Sequence, residues 1–252
     1  MSVKFIQTKH QLKLNSYNNG IHEVKTVGYP YEKTPLKPYS NILYWSRLRS
    51  EYGNLMSEHP HIGFEMLSYV TKGTFEVFDH IENKWVRLSE GDICVVKAGK
   101  GMRHSEKLAP QTEVLQVWFD PGFKDIQQKS LSTGNRYFSS NMLVHELQNR
   151  KTRIIDWDRT PGVLQSKDSS VEMTDFFAGY HTLTCMPDYV MSGCVLDGYI
   201  EINDTLLGKD DFFRIEQQTE TSLISLVNSK VFITITPFEP EYQTYASVNR
   251  WA

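Results

Sequence analysis

Four side chains in this chain have the types and spacing to hold a metal ion. His59 and His61 flank Pro60, and His104 and Glu106 flank Ser105. Residues two apart on an extended segment point to the same side, so each pair can aim both of its groups at one point. Three imidazoles and one carboxylate, brought together from two extended segments, make a mixed nitrogen and oxygen site suited to a divalent first-row metal. A lone His-x-His is common by chance, and the second pair is what carries the reading. Four protein ligands on a metal that accepts six leave two open positions, unlike a closed structural zinc site. An enolic hydroxyl entering one of them would be acidified by the metal. Glu106 therefore has a second candidate role, as the general base that takes that proton.

The segments that must position these groups read as strands. Asn41 to Leu48 is rich in branched and aromatic residues, and Met66 to Val70 follows the first His pair. Thr74 to Asp79 alternates, with Phe75 and Val77 on one face and Glu76 and Phe78 on the other. Trp85 to Leu88, Ile93 to Val96 and Glu113 to Phe119 complete a series of short strands separated by turn signals such as Glu90-Gly91-Asp92. Such spacing predicts a β-sandwich or barrel. Residues 1–40 read mainly as wrapping, with a short strand over Ile21 to Val27. Phe123 to Ser132 is expected to form one short helix.

The bulk properties exclude several classes. With 252 residues the chain can bury a core without disulfide staples. A net charge of −3 offers no nucleic-acid footprint, and the basic residues Lys4, Lys9, His10 and Lys13 read as a solvated face. No apolar run approaches the roughly 20 residues of a membrane span, and Met1 to Gln7 lacks a signal peptide's apolar core. The three cysteines, Cys94, Cys185 and Cys194, have no metal-site spacing and form no obvious disulfide framework. A cytoplasmic monomer acting on a small molecule, without nucleic-acid or membrane partners, is expected. Nothing resembles a Gly-x-Ser-x-Gly nucleophile or a phosphate-cradling loop.

The later chain echoes the earlier one. Gly73-Thr74-Phe75-Glu76-Val77 resembles Gly198-Tyr199-Ile200-Glu201-Ile202, and Leu88 to Ile93 resembles Leu207 to Phe212. Two copies of one β-barrel are therefore expected: residues 1–135 as a metal-binding domain and 136–252 as a degenerate one. The positions that correspond to His59 and His61 are Thr184 and Met186, and no histidine follows His181. The second copy is expected to hold no metal.

His59-Pro60-His61-Ile62-Gly63-Phe64-Glu65, then Gly91-Asp92, then Ala98-Gly99-Lys100-Gly101-Met102-Arg103-His104-Ser105-Glu106, resembles the signature of the pirin family within the cupin superfamily. The resemblance implies an all-β bicupin: two antiparallel cupin β-barrels (double-stranded β-helix, or jelly roll) packed face to face. It implies one metal, usually iron(II), on His59, His61, His104 and Glu106, although manganese, cobalt, nickel and zinc suit the same donors. In the wider cupin pattern a glutamate soon after the His pair is a ligand. In the pirin-like pattern that role passes to the Glu of His-Ser-Glu, which places Glu65 beside the site, orienting a ligand imidazole. Ile62 stands where the family often has Arg, and Lys97-Ala98-Gly99 where cupins favour Pro-x-Gly. Some members resemble quercetin 2,3-dioxygenases that open flavonols with O₂, and others non-catalytic, redox-sensing regulators. The first activity is the expectation and the second its alternative, with a metal-dependent isomerase a more distant third.

Overall fold

The computed structural model describes residues 2–16, 20–122, 124, 132–138, 143–156 and 164–248. The short helix expected over Phe123 to Ser132 falls almost wholly outside them. The chain folds as two compact units. One contains Leu12–Asn141, Val163–Lys167 and Glu241–Ala252; the other contains Met1–Gln11, Met142–Gly162 and Asp168–Pro240. Residues 1–11 thus join the later unit, where the expected division kept them with the first. The reason is a pairing: β1 (Ser2–Ile6) lies antiparallel to a strand at Phe212–Glu216.

The first unit holds β2 (Leu12–Ser16), β3 (Ile21–Val27), β4 (Ile42–His61), β5 (Glu65–Lys72), β6 (Thr74–Asp79), β7 (Lys84–Ser89), β8 (Ile93–Lys97), β9 (Met102–Phe119) and β10 (Gly134–Phe138). These form one antiparallel sheet in the order β10-β8-β5-β9-β4-β3-β2, with the β6–β7 hairpin paired onto β9. Its core packs Leu48, Met56, Val70, Phe75, Val77, Leu88, Cys94 and Val114. The expected strand at Asn41 to Leu48 is the start of a 20-residue strand that runs on through both histidines. Likewise Glu113 to Phe119 ends an 18-residue strand that begins before His104.

The second unit adds β11 (Leu143–Leu147), β12 (Arg150–Asp156), β13 (Ser170–Phe176), β14 (Gly179–Thr184), β15 (Tyr189–Asp197), β16 (Ile200–Ile202), β17 (Thr205–Leu207), β18 (Phe212–Glu216), β19 (Glu220–Ser225) and β20 (Ser229–Pro237). Two antiparallel sheets result, β1-β18-β15-β20-β13-β12-β11 and β14-β19-β16-β17. Phe176, Val195, Ile200, Phe213, Leu223 and Val231 are among the apolar residues between them.

The sequence repeat is a structural one. Gly91 donates its N–H to Val70 O and Val70 donates to Asp92 O; in the second unit Asp210 donates to Val195 O and Val195 to Asp211 O. Ser89 N–H donates to the Asp92 carboxylate, as Gly208 N–H does to Asp211. Both copies break register at the same place, Val70/Lys72 and Val195/Asp197, just before a glycine. Those glycines, Gly73 and Gly198, take φ of +80° and +82°, left-handed values that favour glycine. A hydroxyl then staples each turn: Thr112 Oγ1 to Thr74, Ser229 Oγ to Tyr199.

A Cβ at Gly73 would lie 2.9 Å from Thr112 Cα, and one at Gly198 would lie 2.8 Å from Ser229 Cα. Both neighbours are backbone and cannot swing away. Gly73→Ala and Gly198→Ala should each destabilise the protein by about 1–3 kcal/mol. Denaturant midpoints would test this, and a neutral result at either position would contradict the shared turn geometry.

Candidate metal centre

The site is built where β4 and β9 run side by side. Along β9 the even-numbered residues His104, Glu106, Leu108, Thr112 and Val114 are buried, as period-two alternation demands. On β4 Tyr44, Ser46, Leu48, Ser50 and Met56 are buried, as are Trp45 and Arg47 between them, while Tyr52 is exposed. Met56 lies opposite Glu106, but His59, not Glu58, lies opposite His104. One extra residue has entered β4 between them, a β-bulge that transfers the inward face from even to odd positions. His59 and His61 consequently face the interior. Glu58 is turned out, where it accepts a hydrogen bond from Arg103 Nε at 2.5 Å.

The three imidazoles offer ligand atoms that all lie within 4.8 Å of one another. His59 Nδ1 lies 2.9 Å from Ser57 O. A carbonyl oxygen only accepts, so Nδ1 carries the proton and Nε2 of the neutral ring is bare. That Nε2 sits 3.0 Å from His104 Nε2, while His104 Nδ1 is buried with no hydrogen-bond partner. Burial, then its neighbour His59, lowers the pKa of His61 to about 4. Burial, reinforced by the other histidines, lowers that of His104 to about 2. Three imidazoles crowded together, with His61 and His104 resisting protonation, fit a bound cation.

Glu106 lines the same cavity but stands outside the cluster of three. Its Oε1 accepts from Gln116 Nε2 at 3.2 Å, and that amide also donates to Ser68 Oγ at 3.2 Å. Burial raises its pKa to about 8, against the opposing pull of Gln116. Glu65 is not a pocket group. Its carboxylate is fully buried and accepts Gln165 N–H at 2.6 Å, Ser166 N–H at 2.7 Å and Ser166 Oγ–H at 2.7 Å. It anchors the segment around 165–166 to the first unit, and no ligand imidazole is among these partners.

The cavity has a volume of about 460 Å³. Of the expected wall residues, Met66 and Trp118 line it, whereas Phe64 packs on Tyr245 and Tyr69 is core. Cys94 is core as expected, its thiol pushed up by burial. Leu14, Glu23, Lys25 and Tyr29 also line the cavity, although their segment reads as wrapping. The available signal was the alternation Ile21, Glu23, Lys25 on a strand whose expected bounds, Ile21 to Val27, are those observed. Charges on the buried face of a short strand mark a polar cavity wall, since such groups are seldom buried without partners.

Comparison with known proteins bears on the same segment. The Pirin family model matches residues 33–119, the segment that carries all three histidines and Glu106. Over this segment the chain is similar to the pirin family. A pirin-like protein of Caulobacter vibrioides is 40% identical over 65 residues, 25% of this chain and 28% of that protein. The quercetin 2,3-dioxygenase of Escherichia coli K12 is 39% identical over 74 residues, 28% of this chain and 32% of the enzyme. The chain thus aligns with under a third of the length of these relatives. The crystal structure of the bacterial pirin YhhW of E. coli in complex with nickel(II) superposes with a TM-score of 0.76 at 19% identity, covering 94% of this chain and 99% of that one. At that identity the likeness speaks for the fold alone: all-β and bicupin in arrangement, as in the pirin structures.

Two outcomes are expected. In metal-free protein Glu106 binds a proton more tightly folded than unfolded, so its contribution to stability falls as pH rises from 4.5 towards 8, by at most about 1.4 kcal/mol per pH unit. His61 and His104 act oppositely, losing stability as pH falls below 6.5. Between pH 6.5 and 8 Glu106 is the site group still titrating. Over that window the Tm of metal-free wild type should fall relative to Glu106→Gln, and parallel curves would refute the assignment. Glu65→Ala should cost about 2–3 kcal/mol while metal stoichiometry, measured by elemental analysis, is unchanged; loss of metal would return Glu65 to the site.

Proposed function

We propose that the protein is an iron(II)-dependent dioxygenase that opens flavonols such as quercetin with O₂. The observation that carries this reading is that the three-histidine cluster opens onto a cavity of about 460 Å³ walled by Trp118, Tyr44, Met66 and Leu48. That volume suits a drug-sized aromatic molecule. Trp118 stacks on Tyr44 with centroids 4.5 Å apart and meets His61 edge-on at 5.1 Å, giving a flat wall beside the donor cluster.

Iron(II) held by His59, His61, His104 and Glu106 would supply Lewis acidity toward an enolic hydroxyl and redox chemistry toward O₂. The remaining work falls to the chain. Glu106, whose carboxylate lines the cavity with the three histidines, takes the proton of the flavonol 3-hydroxyl. Gln116 fixes the orientation of that carboxylate through its 3.2 Å hydrogen bond. Trp118 and Tyr44 hold the fused rings, and Met66, Leu14 and Leu48 exclude water. In the overall reaction both atoms of O₂ enter the ring-opened ester and carbon monoxide leaves.

Anaerobic reconstitution with iron(II), followed by quercetin and O₂, tests the proposal. Loss of the flavonol absorbance should occur with one O₂ consumed and one carbon monoxide released per flavonol. A His59→Ala/His61→Ala double variant should lose it entirely. Glu106→Gln should lower turnover by about 10²–10⁴-fold while keeping part of the metal. Iron binding without bleaching beyond the double variant would reject the dioxygenase and favour a non-catalytic, metal-dependent regulator.

A further inference from the structure

The cavity has a second polar end, remote in chemistry from the histidines. On β3 the inward side chains Glu23 and Lys25 are 5% and 6% exposed and line the cavity with Tyr29 and Tyr44. Lys25 Nζ lies 2.6 Å from Glu32 Oε1, 3.8 Å from Glu23 Oε2 and 4.9 Å from the centroid of the Tyr44 ring. Tyr44 Oη donates to Glu23 Oε1, and Glu32 also accepts the N–H of Tyr29 at 2.8 Å. Lys25 thus stands between the two carboxylates.

Between the two ends lie aromatic faces. Trp118 touches His61 on one side and stacks on Tyr44 on the other, while Tyr29 meets Trp118 edge-on at 6.2 Å and Tyr44 at 6.1 Å. A flat molecule engaging the histidines and lying along Trp118 and Tyr44 brings its far ring to Glu23. An ionised carboxylate accepts up to about four hydrogen bonds, and Glu23 accepts one from Tyr44. Hydroxyl donors on that ring would be bound, whereas a carboxylate there would meet like charge in a poorly solvated place.

We propose that Glu23, positioned by Lys25 and Tyr44, is the specificity determinant of this cavity and selects neutral aromatic substrates whose distal ring bears hydroxyl groups. The inference rests on the flavonol reading of the site and refines it. Lys25 is a positioning residue: neutralised by Glu32 and Glu23, it orders the Glu23 carboxylate and leaves no free cation to attract acidic substrates.

The test is binding to zinc-loaded protein without O₂, read by isothermal titration calorimetry and so independent of turnover. Quercetin, with a distal catechol, is compared with galangin, which has the same fused rings and 3-hydroxyl but an unsubstituted distal ring. A galangin analogue with a distal carboxylate is the third ligand. Wild type should bind quercetin about tenfold or more tighter than galangin, as expected for hydrogen bonds to a charged acceptor, and the carboxylate weakest. In Glu23→Gln the quercetin preference should shrink several-fold and the carboxylate should recover. The wild-type ligand series decides the matter even if that variant fails to fold. Equal binding of quercetin and galangin, or tightest binding of the carboxylate, overturns the inference. Discrimination as expected, with no bleaching of quercetin by the iron-loaded protein and O₂, rejects the dioxygenase reading and leaves this inference standing. No binding of any of the three overturns both.

Discussion

The antiparallel pairing of β4 with β9, interrupted by one extra residue after Met56, is the constraint on which the site depends. Before the bulge, Leu48 and Met56, at even positions of β4, pack in the core. After it, odd-numbered residues face inward, and these are the histidines. Removing the extra residue would place Glu58 and Pro60 inward and send both imidazoles to solvent. Ladder hydrogen bonds from the long pairing hold His59 opposite His104, so the donors are set by backbone register rather than by flexible loops. A site on paired strands is positioned before any ligand arrives.

The same inner face explains the electrostatics. The second unit holds an apolar cluster that includes Phe176, Phe213, Leu223 and Val231, beside a cavity lined by His145, Arg150, Thr152 and Glu172. In the first unit, the cavity wall carries imidazoles, Glu106, Gln116, Glu23 and Lys25. Burial acts on these groups by sign. It keeps His61 and His104 neutral, and so free to donate lone pairs, while it raises the proton affinity of Glu106. Lys25 and Glu23 escape isolation by pairing with each other and with Glu32 and Tyr44. The polar face costs stability that its partners only partly restore, which is the usual signature of a surface kept for binding.

Much of this was legible because it obeyed period two. His104 and Glu106 could be placed on one face without a structure, Thr74 to Asp79 was bounded correctly, and the glycine turns at Gly73 and Gly198 showed the repeat. What escaped was set by tertiary pairing. The expected strands at Asn41 to Leu48 and Glu113 to Phe119 stop short of β4 and β9, which run on through Gly53, Pro60 and Pro110 as a long bulged pair. Glu65 sits in the motif and invited a role at the metal, but its partners come from Gln165 and Ser166, a hundred residues on. Glu23 and Lys25 were passed over because charge on a short strand ordinarily means solvent.

The repeat separates what the two copies share from what they do not. The shared features are the register break, the left-handed glycine, the hydroxyl staple and the Asp92 or Asp211 turn. All lie at the closed end of the strands and serve folding. The metal donors lie elsewhere, on the segments that precede Gly73 and follow the Asp92 turn. His59 and His61 correspond to Thr184 and Met186, and Met186 is exposed rather than turned to a cavity. Turn geometry and site geometry are therefore separable on this fold. The turn can close a barrel whatever side chains the neighbouring strands carry inward.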